Sequence, residues 1–193
     1  MLSAIPNILT GFRLVCAPVV PIALILSATQ WSWSLVAFGV FVVAAVTDLF
    51  DGLIARALKA ESAWGKTWDP IADKLLVASA LIGLIYAGAL TGWALIPAGL
   101  ILARDALVTW LRTRRSVPVS LLAKWKTAIE MIAVLLLLAG PAIVAALLGR
   151  AQISYWAFAG APYAMVAEGA LWLAAVLSVV SAFAYLRPRP AAG

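Results

Sequence analysis

Asp48-Leu49-Phe50-Asp51-Gly52-Leu53-Ile54-Ala55-Arg56, eight further residues, then Gly65-Lys66-Thr67-Trp68-Asp69-Pro70-Ile71-Ala72-Asp73: these two stretches hold four of the chain's eight acidic residues. Asp48 and Asp51 are spaced i, i+3, and Asp69 and Asp73 are spaced i, i+4. On a helix each pair projects from one face. Long apolar runs flank both stretches. Carboxylates beside such runs are expensive and are functional candidates by default.

The rest of the chain sets that expense in context. Of 193 residues, 65% are hydrophobic and 11% charged, with a mean hydropathy of +1.07. A soluble domain is about half apolar and about a quarter charged, so the expected solvent is a bilayer. Apolar segments run at about Leu14–Leu26, Trp33–Leu58, Pro70–Leu90, Trp93–Trp110, Leu121–Leu148 and Met165–Leu186. They are long and continuous, unlike the ~10-residue alternating strands of a barrel. In hydrocarbon their backbones must be satisfied internally, which makes them helices. The expected fold is an all-α integral membrane protein, one domain over residues 1–193. It has six transmembrane helices and a short amphipathic segment from Ala4 ahead of the first.

Charge gives the orientation. With the N-terminus in the cytoplasm, the inner side receives Arg13, Arg56, Lys59, Lys66, Arg112, Arg114, Arg115, Lys124, Lys126, Arg187 and Arg189, and the outer side only Arg150. That asymmetry puts both termini inside. The net charge of +6 then reads as topology and attraction to anionic lipid. No groove-reading motif accompanies it, so no nucleic-acid partner is expected. The N-terminus lacks a basic region before its apolar run, so it is read as a retained helix and not a cleaved signal. There is no histidine, which excludes imidazole catalysis, and the lone Cys16 excludes an internal disulfide. The outer stretch from Gly140 to Pro162, with Tyr155, Trp156, Phe158 and Tyr163, is expected to lie on the membrane interface.

In this topology the second segment runs inward to Asp48 and Asp51, and the third runs outward from Asp69 and Asp73. The two helices are expected to be neighbours, with all four carboxylates converging near the inner leaflet. Arg56 and Lys74 would offset part of the charge. Hard divalent cations, Mg²⁺ or Mn²⁺, would do it better, and two ions ~4 Å apart form a clamp for displacement at phosphorus. Taken alone, Asp69-Pro70 also reads as a helix cap followed by an N1 proline, and Asp51-Gly52 as a turn. Caps and turns do not account for Asp48 and Asp73 on the same faces.

The two quoted stretches match D-x₂-D-G-x₂-A-R-x₈-G-x₃-D-x₃-D at every fixed position, and the chain so resembles the CDP-alcohol phosphotransferases. The resemblance implies transfer of a phosphatidyl group from CDP-diacylglycerol to an alcohol, with release of CMP. It implies two divalent ions on Asp48, Asp51, Asp69 and Asp73, with Asp73 also the base toward the acceptor hydroxyl. It makes Gly52, Ala55 and Gly65 the positions where the nucleotide approaches the backbone, and Arg56 a phosphate holder. It also implies a homodimer, for which Gly83, Gly88, Ala98 and Gly99 offer close-packing residues, and a bacterial inner-membrane location with the site facing the cytoplasm.

Two further stretches bear on the acceptor. Pro6-Asn7-Ile8-Leu9-Thr10-Gly11-Phe12-Arg13 resembles the opening of bacterial phosphatidylglycerophosphate synthases and of related cardiolipin synthases, and assigns Asn7 and Thr10 to the CDP site. Val117–Glu130, containing Ala123-Lys124-Trp125-Lys126-Thr127, is similar to a segment of the phosphatidylglycerophosphate synthases. A phosphorylated acceptor wants a basic pocket, for which Arg104, Arg112, Lys124 and Lys126 are the candidates. Glycerol 3-phosphate is therefore the expected acceptor. Arg104-Asp105 is closer to the cardiolipin synthases, and Glu130 stands where Gln is usual, so phosphatidylglycerol is the alternative.

Overall fold

A computed structural model describes residues 4–58, 63–114, 121–149, 154–159 and 161–186; within these, side chains are described except at 4–7, 49–58, 63–67, 111–114, 121–124, 156 and 183–186. Among the described residues there is no strand, and helices predominate. Six long helices follow one another: α1 (Ala4–Leu26), α2 (Ser32–Leu58), α3 (Ala63–Tyr86), α4 (Leu95–Arg114), α5 (Leu121–Leu147) and, after the single turn α6 (Tyr155–Phe158), α7 (Pro162–Leu186). Four stretches are long and apolar enough to cross a bilayer: Ile8–Leu26, Gly92–Trp110, Trp125–Leu147 and Pro162–Ala182. α2 adds the shorter apolar run Ser32–Asp48.

The chain differs from its sequence reading at three places. The N-terminal amphipathic stretch is not separate: α1 is unbroken from Ala4, with Pro6 in its first turn and its interior prolines, Pro18 and Pro21, well beyond that stretch. α3 starts at Ala63, more than a turn before Asp69-Pro70. Asp69 therefore sits inside the helix, and capping does not account for it. Two aromatics of the α5–α7 connection, expected on the membrane interface, turn inward. Tyr155 and Phe158 are buried, edge to face at 6.5 Å between ring centroids. Tyr155 donates to the Leu138 carbonyl at 3.1 Å, and burial pushes its hydroxyl pKa up. Phe158 lies so close to Gly140 that a Cβ there would stand 2.2 Å from its ring. Only glycine at 140 lets this plug seat.

The arrangement of α1 decides where the site forms. α1 packs extensively against both α2 and α3, while α2 and α3 barely meet among the described residues. α5 packs on α7, and α7 on α4. Ala80, Leu81 and Leu84 of α3 join Cys16, Val20 and Leu24 of α1 in one core with Phe41, Leu137 and Leu171. The small residues expected to serve a second copy are mostly taken up inside the chain. A Cβ on Gly83 would stand 2.8 Å from the Pro21 Cα and 2.7 Å from Leu24 Cδ1, Ala98 is wholly buried, and Gly88 takes φ 79° in the turn after α3.

Two glycine substitutions separate these roles. Gly83→Leu must push α1 off α3 and should cost about 1–3 kcal/mol, the range for overpacking a filled interior. Gly99→Leu meets open space and should leave the thermal midpoint in detergent unchanged. Equal midpoints for the two variants would refute the α1–α3 contact.

Candidate active site

α1 contributes one charge, Arg13, in 23 residues. An ionised group in such a helix needs an opposite charge, and Arg13 has three. Its Nη1 donates to Asp48 Oδ1 at 2.5 Å and to Asp73 Oδ1, and its Nη2 stands 3.7 Å from Asp69 Oδ1. One turn earlier on the same face, Thr10 donates its hydroxyl to Asp69 Oδ1. The Arg13 side chain is 1% exposed, against 27%, 38% and 27% for Asp48, Asp69 and Asp73. The cation is thus sealed in the bundle, while the carboxylates form a partly open rim.

Three of the four expected metal-ligand carboxylates, Asp48, Asp69 and Asp73, therefore meet, brought together by α1 and not by direct α2–α3 packing. Asp51 lies outside the described side chains, as do Asn7, Gly52, Ala55, Arg56, Gly65, Arg112 and Lys124. Among the described residues no three acidic or thiol side chains close on one point as a metal cage. The donor set nevertheless suits hard divalent cations: carboxylate oxygens only, from two helices, at a partly solvated rim.

Lys74, expected to offset part of this charge, also reaches α4. One residue beyond Asp73, it points about 100° around the helix, and its Nζ donates to the Asp105 carbonyl at 3.2 Å and to Thr109 Oγ1. A counter-charge at the rim comes from Arg13, which the sequence reading had not counted toward it. The clue available was its isolation: a lone arginine in an otherwise uncharged apolar helix, three residues after a threonine.

A second charged cluster lies on α4, α5 and α7. Asp105 Oδ1 accepts from Arg104 Nη1 at 2.8 Å and from Lys126 Nζ at 2.7 Å. Lys126 also pairs with Glu130 Oε2 at 2.6 Å. Arg104 reaches α7 through the Ser178 carbonyl at 3.2 Å and Ser181 Oγ at 2.8 Å. Two residues expected at an acceptor-phosphate site, Arg104 and Lys126, are thus brought together, both buried and both sharing Asp105. Opposite charges draw the Asp105 carboxylate strongly toward them, so it aims both cations.

Residues 3–180 match the CDP-alcohol phosphatidyltransferase family, and the chain belongs to that family. Membership makes it an enzyme that transfers a phosphatidyl-type group. Its relatives include proteins named CDP-diacylglycerol–glycerol-3-phosphate 3-phosphatidyltransferase. The one from Cereibacter sphaeroides is 41% identical over 71% of this chain and 64% of its own length. The one from Rickettsia bellii is 36% identical over 95% of this chain and 93% of its own. The one from Pseudomonas fluorescens is 35% identical over 87% of this chain and 85% of its own.

The central role of Arg13 has a direct consequence. Arg13→Gln leaves Asp48 and Asp73 facing each other and should cost about 3 kcal/mol or more, the scale for breaking a buried ion pair. Adding Asp73→Asn should restore part of that loss. A thermal midpoint unmoved by Arg13→Gln would show that the carboxylates do not depend on it.

Proposed function

We propose that the chain transfers a phosphatidyl group from CDP-diacylglycerol to glycerol 3-phosphate, giving phosphatidylglycerophosphate and CMP. The supporting observation is the convergence of Asp48, Asp69 and Asp73 at one rim, inside a motif complete at every fixed position. The names of the relatives point to the same acceptor. In this reading all six long helices cross the inner membrane of a bacterium, with both termini and the aspartate rim on the cytoplasmic side.

Asp48, Asp51, Asp69 and Asp73 hold two divalent ions, Mg²⁺ or Mn²⁺, which supply charge neutralisation for the diphosphate and the leaving CMP. Asp73 takes the proton from the acceptor hydroxyl. That oxygen forms a bond to the lipid-side phosphorus as the bond from this phosphorus to the CMP oxygen breaks. Arg56 holds a phosphate of the nucleotide, a task suited to a planar guanidinium. Gly52, Ala55 and Gly65 leave room for the nucleotide, with Asn7 and Thr10 on its α1 side. Arg112 and Lys124 receive the acceptor's own phosphate, alongside Arg104 and Lys126, which Asp105 holds in place.

The test is CMP release by the purified chain with CDP-diacylglycerol and Mg²⁺ or Mn²⁺, across a panel of alcohols. Turnover with glycerol 3-phosphate is expected, with chelation of the divalent ion abolishing it. Turnover only with phosphatidylglycerol would overturn the acceptor and favour a cardiolipin synthase. Asp73→Asn should lower kcat by at least ~100-fold, the scale of a lost general base. Near-normal turnover in that variant would remove the proposed base.

A further inference from the structure

Two kinds of cation have a claim on the same oxygens at the aspartate rim. Arg13 Nη1 donates both to Asp48 Oδ1, on α2, and to Asp73 Oδ1, on α3. One nitrogen thus stands where carboxylates from two helices converge, a position that equally suits a hard metal ion. With Arg13 in that place, the described acidic side chains do not close on one point as a metal cage. Carboxylates opened around a guanidinium and carboxylates closed around ions are alternative arrangements of the same side chains.

Charge decides between them. One arginine against three aspartates leaves the rim negative. Two divalent ions by themselves neutralise Asp48, Asp51, Asp69 and Asp73, which puts Arg13 in excess. Its side chain is 1% exposed, and a cation at that depth needs an anion. The cluster around Asp105 is formally neutral already. In the proposed reaction the anion that arrives is the diphosphate of the donor lipid, and a planar guanidinium matches phosphate oxygens. α1 itself can stay in place during such a change of partner. Thr10 still ties it to Asp69, and Gly83 still holds α3 close against Pro21.

We propose that Arg13 is an exchangeable counter-ion: it releases Asp48 and Asp73 when divalent ions bind, and its guanidinium passes to a phosphate of the CDP group. This exchange rests on the metal site and the nucleotide of the proposed function, and it couples the two. Ions alone leave the Arg13 guanidinium unpaired, and nucleotide alone sets phosphate against carboxylate, so each raises the affinity for the other.

The experiment titrates the purified full chain with Mn²⁺, with and without CDP, and separates free from bound ion by electron paramagnetic resonance. Without CDP, Arg13→Gln should bind Mn²⁺ at least roughly tenfold more tightly than the wild type, the factor one charge-assisted hydrogen bond carries. CDP should tighten Mn²⁺ binding by a larger factor in the wild type than in the variant. Equal or weaker Mn²⁺ binding by Arg13→Gln, or an equal CDP effect in both proteins, would overturn the exchange and leave the metal site standing. Absence of Mn²⁺ binding in both would overturn the metal site and the exchange together. Because Arg13→Gln lowers stability, the wild-type chain supplies a second reading. Phenylglyoxal, which modifies accessible guanidinium groups, should spare Arg13 in the metal-free chain, label it in the presence of Mn²⁺ alone, and spare it again once CDP is added. An Arg13 that stays unlabelled in all three conditions would overturn the proposal.

Discussion

One guanidinium holds the aspartate-bearing helices together. Arg13 is the sole charge on α1, is sealed from solvent, and touches carboxylates that belong to two other helices. Without a cation at that point, three aspartates would face one another in a medium that screens them poorly. Helices in a bilayer gain little from hydrophobic association, so packing and polar links decide which of them stay together. Arg13 and Thr10 are those links for α1, α2 and α3. The order of packing, with α1 between the two aspartate-bearing helices, follows from them as much as from the Gly83–Pro21 contact.

Asp105 does the corresponding job on the other half of the bundle with the signs reversed. There one carboxylate gathers two cations, and Arg104 carries the link onward to α7. The two halves thus use inverse solutions: an anion cluster organised by a cation, and a cation pair organised by an anion. The second set is formally neutral, Arg104 and Lys126 against Asp105 and Glu130, whereas the first keeps an excess of negative charge, one arginine against three aspartates. The first arrangement leaves oxygens at a rim, suited to metal and diphosphate. The second fixes the direction of two basic groups that would otherwise be long and mobile.

Much of this was legible beforehand. Hydropathy alone gives six long helices, with the starts of α1 and α3 placed too late, because a bilayer leaves the backbone no alternative. The spacing of Asp48, Asp69 and Asp73 announced a shared site. What stayed hidden was anything set by three-dimensional neighbours. Asp69-Pro70 looked like a helix start because a cap and an interior aspartate share the same local text, and only the helical run from Ala63 separates them. Arg13 did not look like a counter-ion because it stands far from the aspartates in sequence, and only the packing of α1 against α2 and α3 brings it among them. Tyr155 and Phe158 looked interfacial because aromatics between apolar segments commonly are. Their burial depends on a bare backbone at Gly140, far away in the chain.

That aromatic plug also sets the two ends of α5 and α7 apart in kind. At one end Tyr155 and Phe158 seat a ring against a glycine and tie a hydroxyl to a carbonyl. Toward the other, Lys126, Glu130, Ser178 and Ser181 are joined by polar links. Shape fixes the first end, since only a bare backbone at Gly140 admits the ring, whereas charge and hydrogen bonding fix the second, so the two ends answer to different perturbations: added bulk at one, altered charge at the other.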